Sequence, residues 1–165
     1  MAKAYLNKRL SKRASEILDQ ITAPAGANDA MELALLYKRA GDMQKAHNVL
    51  ASHYDVLMND PKAVHEYAQT KMKLAARIRG DAVTKRRTNE EAAELLRRAI
   101  QLADNPTRQA WCWMDLANTL IWLRAPDSDI RRAFEKAIEL LPSEPRFKDA
   151  YARWQGRAQR NNRKT

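Results

Sequence analysis

Apolar and polar residues follow each other along most of the chain with the period of a helix. In "AFEKAIELL" the apolar side chains Ala133, Phe134, Ala137, Ile138 and Leu141 take positions i, i+1, i+4, i+5 and i+8, one side of an α-helix. Charged residues fill the other side, and Pro142 ends the run. So short a helix is not stable by itself and needs a neighbour for its apolar side. The same reading along the chain predicts helices at about 3–22, 28–40, 42–58, 61–79, 89–104, 107–124, 127–141 and 145–158. Pro24, Pro61, Pro106, Pro126, Pro142 and Pro145 all stay out of the periodic interiors, as the missing N–H of proline requires. Gly41 and Gly80 follow helical runs, where a left-handed residue closes a helix. Asn28 or Asp29, Asp42, Asn89, Asp127 and Ser143 stand where N-caps are expected. Most connections are short enough to fold consecutive helices back antiparallel. The exception is 80–88, "GDAVTKRRT", read as a longer link.

Three segments align: "GDMQKAHNVLASHYDVLMNDP", "TNEEAAELLRRAIQLADNP" and "DSDIRRAFEKAIELLPSEP". Each has a capped or acidic start, apolar residues four apart and a proline-containing end, and each follows another helix. This pattern resembles the tetratricopeptide repeat family. In 111–142, Ala117, Ile121, Phe134, Ala137 and Pro142 match the family's small, large, large, small and proline positions. Residues 27–60 match through Leu33, Ala34, Tyr37, Gly41, Ala46 and Leu50, and 73–106 through Gly80, Ala92, Leu96 and Ala99. The third copy is also similar to half-a-TPR repeats of RNA-processing scaffolds. The copies depart from the family in their unequal offsets. The expected fold is therefore all-α: a short solenoid of about three helix–turn–helix pairs with amphipathic terminal helices. Residues 1–158 form the single domain, and 159–165 a basic, disordered tail. At the first end, Leu6, Leu10, Ala14, Ile17, Leu18 and Ile21 make the expected apolar stripe, opposite Lys8, Arg9 and Lys12. At the last, Phe147, Tyr151 and Trp154 do so.

Charge adds a possible surface to this fold. The chain of 165 residues has 30 Lys and Arg against 20 Asp and Glu. Segments 3–13, 71–87 and 146–164 together hold 19 of the bases and only 2 acids, leaving a net negative remainder. Lys12 and Glu16, four apart, can neutralise each other in the first segment. The basic start is similar in composition to an organelle presequence, but its helical pattern favours a folded first helix. No stretch approaches the length of a membrane span. Cys112 is the single cysteine, which suits a reducing compartment and makes a cytoplasmic location the expectation.

Catalytic chemistry is not legible. His47 and His53 are six apart on different faces of one predicted helix, and His65 lies in another, so no metal site is expected. Cys112 between Trp111 and Trp113 reads as packing. Glu90, Glu91 and Glu94 open a predicted helix, where carboxylates favour the dipole. No phosphate loop or G-x-S-x-G is present. The expectation is a non-enzyme without cofactor, metal, small-molecule substrate or membrane partner.

Binding is the remaining class. Core packing is expected for at least two of the four tryptophans, with an exposed Trp122 as the alternative. The resemblance implies a concave groove containing Met31, Leu35, Lys38, Arg39, Arg77, Asp115, Thr119 and Trp122. Met31 and Leu35 stand where the family's carboxylate clamp has Lys and Asn, so a chaperone tail is not the expected ligand. Such a groove suits a peptide or helix of an acidic partner protein, making the chain an adaptor. The second candidate is nucleic acid, RNA or DNA, on Lys71, Lys73, Arg79, Lys85, Arg86, Arg87, Arg153, Arg157 and Arg160. It requires 80–88 to lie beside the C-terminal helix so that the cations converge on phosphates. An ordinary solvated basic face is the alternative. Aromatic residues among these bases are sparse, which argues against sequence-specific stacking.

Overall fold

The computed structural model describes residues 12–20, 24 and 26–162, and every regular element among them is helical. We number a first helical run, 12–18, as α1. It is followed by α2 (Ala27–Arg39), α3 (Met43–Ser52), α4 (Tyr54–Leu57), α5 (Pro61–Arg77), α6 (Ala82–Leu102), α7 (Pro106–Leu123), α8 (Asp127–Leu140) and α9 (Pro145–Asn162). The rest of the expected first helix and residues 163–165 of the expected tail lie outside the described residues. No described helix is long and apolar enough to cross a membrane.

Helix boundaries follow local hydrogen bonding. Asp42, Asp60, Asp81 and Asn105 each accept a backbone N–H of the helix they precede, from Lys45, Lys62, Thr84 and Arg108 respectively, which satisfies a donor the first turn leaves open. Pro61, Pro106 and Pro145 each occupy the first helical position, where proline's lost donor costs nothing. Gly41 and Gly80 have φ of 82° and 74°, the left-handed conformation glycine adopts without strain.

Several boundaries differ from those expected. α6 starts at Ala82, not at 89; the supposed link is its first two turns. Asp81 caps it, and Arg86–Glu90 and Arg87–Glu91 ion pairs run along it. Asn89 is consequently buried inside the helix, donating to the Lys85 carbonyl at 2.9 Å. The run 42–58 breaks at His53, where the side chains of Ser52 and His53 both reach the Val49 carbonyl and compete with the helical ladder. Gly26, not Asn28 or Asp29, precedes α2, Pro126 precedes α8, and neither gives a side-chain cap. Ser143 does not cap α9; Glu144 instead accepts from the Arg146 N–H. The helix itself runs to Asn162, four residues past its expected end.

Neighbours in sequence pack on each other: α2 on α3, α5 on α6, α7 on α8. α3 also meets α5, α6 meets α7, α8 meets α9, and α5 touches α7. α5 and α6 run antiparallel, since Arg98 near the end of α6 donates to the Met58 carbonyl just before α5, while Lys71 far along α5 pairs with Glu91. Alanines let these helices approach closely: Ala30, Ala68, Ala99, Ala110, Ala117 and Ala137 are fully buried, among large residues such as Leu50, Leu96, Phe134 and Phe147. One core cluster runs from α2 to α9, and a smaller one, Leu33, Tyr37 and Ala46, receives Leu18 of α1.

α1 docks differently from its expected apolar stripe. Ser15 is buried and Ile17 is 56% exposed. Hydrogen bonds decide this: Ser15 donates to Asp42, Tyr37 donates to Asp19, and Lys45 reaches both Ser15 and Asp19. The stripe residues Leu6, Leu10 and Ile21 lie outside the described residues.

Candidate protein-binding surfaces

Three faces hold the residues singled out by the sequence. On the first, between α2, α5 and α7, the expected groove is largely closed by its own side chains. Met31 is 7% exposed and packs in the core, and Thr119 is fully buried with its hydroxyl donating to the Asp115 carbonyl. Neither is available to a ligand, because each occupies the inner side of its helix. Leu35 is half-buried against the core. Lys38 is paired with Glu66 of α5. Asp115 accepts from Gln69 and lies 2.9 Å from His65 Nε2. These bonds join α2 to α5 and α5 to α7. Arg39 and Arg77 are exposed, Arg77 reaching toward the Gly41 carbonyl at 3.4 Å. Trp122 stands apart from this set: it is 62% exposed, with Lys85 Nζ 4.6 Å from its ring centre, a cation–π contact. Val83, two residues before Lys85, is 80% exposed.

The second face carries the basic residues 71–87. Lys71 is half-buried, bonded to Glu91 at 2.7 Å and lying 5.0 Å over the Tyr67 ring. Its bond to Glu91, more than any other contact, holds that carboxyl below its ordinary value. Arg86 and Arg87 also spend charge on Glu90 and Glu91. Lys73 and Arg79 are exposed. Beside Lys71, His47 stacks on Tyr67 at 5.4 Å with its Nδ1 buried and lacking a hydrogen-bond partner. Burial, and then the Lys71 charge, lower the His47 pKa. Residues 80–88 are not the turn that this candidate required: 82–88 are the first turns of α6, which as a whole packs on α5 and α7, while α9 packs on α8.

The third face, at α7–α8–α9, was visible in the sequence only as scattered arginines. α9 is fixed near its start by Phe147, edge-on to Trp111 at 4.8 Å, and by Arg146 over the same indole at 4.5 Å. Trp154 reaches Phe134 of α8. A cleft of about 450 Å³ remains where the end of α7, the start of α8 and the second half of α9 meet. Ile121, Ile130, Phe134 and Trp154 form its apolar lining, and Arg124, Arg153, Arg157 and Asp127 its charged lining. Arg124 closes α7 with φ 54°, the left-handed conformation that glycine takes at Gly41. Sequence reasoning did not find Arg124; the available signal was the helix end "LRAP", which has no glycine where a left-handed closure is needed.

Of the nucleophilic and metal-binding residue types, Cys112 is fully buried and burial pushes its thiol up to about 12. No group of three His, Cys, Asp or Glu suited to a metal occurs among the described residues. Comparison of the chain with protein-family models and with curated proteins gave no match.

Proposed function

We propose that this chain is a tetratricopeptide-like scaffold, a short array of three helical hairpins closed by terminal helices, which holds a partner protein without catalysing a reaction. The order of helix packing and the buried alanines support the array. The observation carrying the binding role is Trp122: a large indole, mostly exposed, held out by a cation from the preceding helix. Tryptophan beside a basic residue is a common anchor of protein interfaces, and the excess of cations favours an acidic partner. The contact used by this reading is smaller than the groove the resemblance implies, being centred on Trp122 and Lys85.

The immobilised full chain should capture a discrete protein, and both Trp122→Ala and Lys85→Glu should lose it while melting at the parent temperature. Equal capture by parent and both variants contradicts this role. A second reading, phosphate binding, draws on Arg153, Arg157 and Arg160, exposed on α9 and without ion pairs among the described residues. It requires retention on heparin that falls steeply with salt.

A further inference from the structure

Several cations at other helix junctions of this protein meet acids: Lys38 meets Glu66, Lys71 meets Glu91, Lys45 meets Asp19, and Arg146 meets Glu144, while Arg98 and Arg77 meet backbone carbonyls. At the α7–α8–α9 cleft Arg124, Arg153 and Arg157 make no ion pair among the described residues, though all three line one cavity in which Asp127 is the single acid. Beneath them are buried apolar groups: Ile130 is 3% exposed, Phe134 0% and Trp154 8%.

We propose that this cleft docks an acidic amphipathic helix of a partner protein, with apolar side chains seated on the partly exposed Ile121, Ala150 and Ala158 and carboxylates meeting Arg124, Arg153 and Arg157. Three features select this occupant. Arg153 and Arg157 are four residues apart on α9, so their stems rise about 6 Å from one to the next. Carboxylates four apart on a helix lying alongside have the same spacing, and guanidinium binds carboxylate with two parallel hydrogen bonds. The half-buried Ile121, Ala150 and Ala158 over the buried floor give apolar binding area that a sugar–phosphate backbone cannot use. The chain's own ends do not fit: residues 1–11 contain Lys3, Lys8 and Arg9, residues 163–165 contain Arg163 and Lys164, and neither stretch has an acid. The left-handed backbone at Arg124 agrees with this assignment, since glycine would serve the helix end without strain but would not reach the cleft.

This inference rests on the scaffold reading only in taking the occupant to be protein; it does not use Trp122. The test uses the full chain and a fluorescein-labelled 16-residue amphipathic peptide of Leu and Glu, followed by fluorescence anisotropy at physiological salt. The peptide should bind, and Arg153→Glu with Arg157→Glu should weaken it at least tenfold. Arg124→Gly should weaken it without lowering the melting temperature, and Lys62→Ala, at an exposed cation near the start of α5, should leave it unchanged. Binding as tight by the counterpart with Lys in place of Glu overturns the proposal. So does equal binding by the Arg153→Glu, Arg157→Glu variant, no binding at all, or an oligothymidylate of equal charge binding more tightly than the peptide through the same arginines.

Discussion

His47 shows how one residue sets a pH response. Its imidazole stacks on Tyr67 beside the Lys71 ammonium, with one ring nitrogen buried and unbonded. Unfolded, the group titrates near its ordinary 6.5; folded, burial and the neighbouring charge lower that value. Between the two, the unfolded chain takes up a proton that the folded chain refuses, so stability falls as pH drops below about 6.5. The Glu91 carboxyl is also lowered, from 4.5, so its contribution is complete above that pH and is lost only below it. Thermal melts at pH 7.5 and 5.5 should therefore show a drop that His47→Leu reduces; identical drops in parent and variant refute the assignment. Arg124 is the other residue with a local conflict. A non-glycine residue in the left-handed region costs roughly 1 kcal/mol, so Arg124→Gly should raise the urea midpoint with an unchanged slope. A lowered midpoint means that the arginine side chain stabilises the fold by more than the strain it brings.

At the scale of elements, α6 explains both what could be read from the sequence and what could not. Its second half was legible because Ala92, Leu96 and Ala99 keep the helical period and are all fully buried. Its first half was not, because Val83, Thr84, Lys85, Arg86 and Arg87 bury nothing deeply and so leave no apolar period to detect. What makes that half helical is the Asp81 cap and the i, i+4 ion pairs, each a small effect worth tenths of a kcal/mol to about 1 kcal/mol. Asp81→Ala should thus cost about 1 kcal/mol, with faster amide exchange confined to residues 82–90. Unchanged exchange there means that packing alone holds these turns. The groove was overread for a related reason. A position on a helix face predicts direction, but Met31 and Thr119 turned inward where α2 and α7 meet neighbours that the sequence did not orient. Lys38, Glu66, His65 and Asp115 were each visible as charged or polar residues, whereas their pairing spans 28 and 50 positions of chain and needed the fold. The cleft at α9 depends on three helices at once and left no periodic signal.

Across the whole molecule, most packing joins elements adjacent in sequence, from α2 and α3 through to α8 and α9. If the helical hairpins form an array, each covers an apolar face of the next, and stability is a sum of neighbour contacts that weakens where a neighbour is missing. α5, α6 and α7 have packed helices on both sides; α9 has its packing against α8, and α1 is joined to the rest largely through Ser15, Asp19 and Leu18. At the last junction, where α7, α8 and α9 meet, Arg124, Arg153 and Arg157 line one cleft without ion pairs among the described residues. Native-state hydrogen exchange, resolved by residue, measures the dependence on neighbours most directly. Opening free energy should be highest in α5 to α7 and fall stepwise toward α2 and toward α9. One uniform opening energy for all helices, or amides of α9 protected as well as those of α6, would contradict the array.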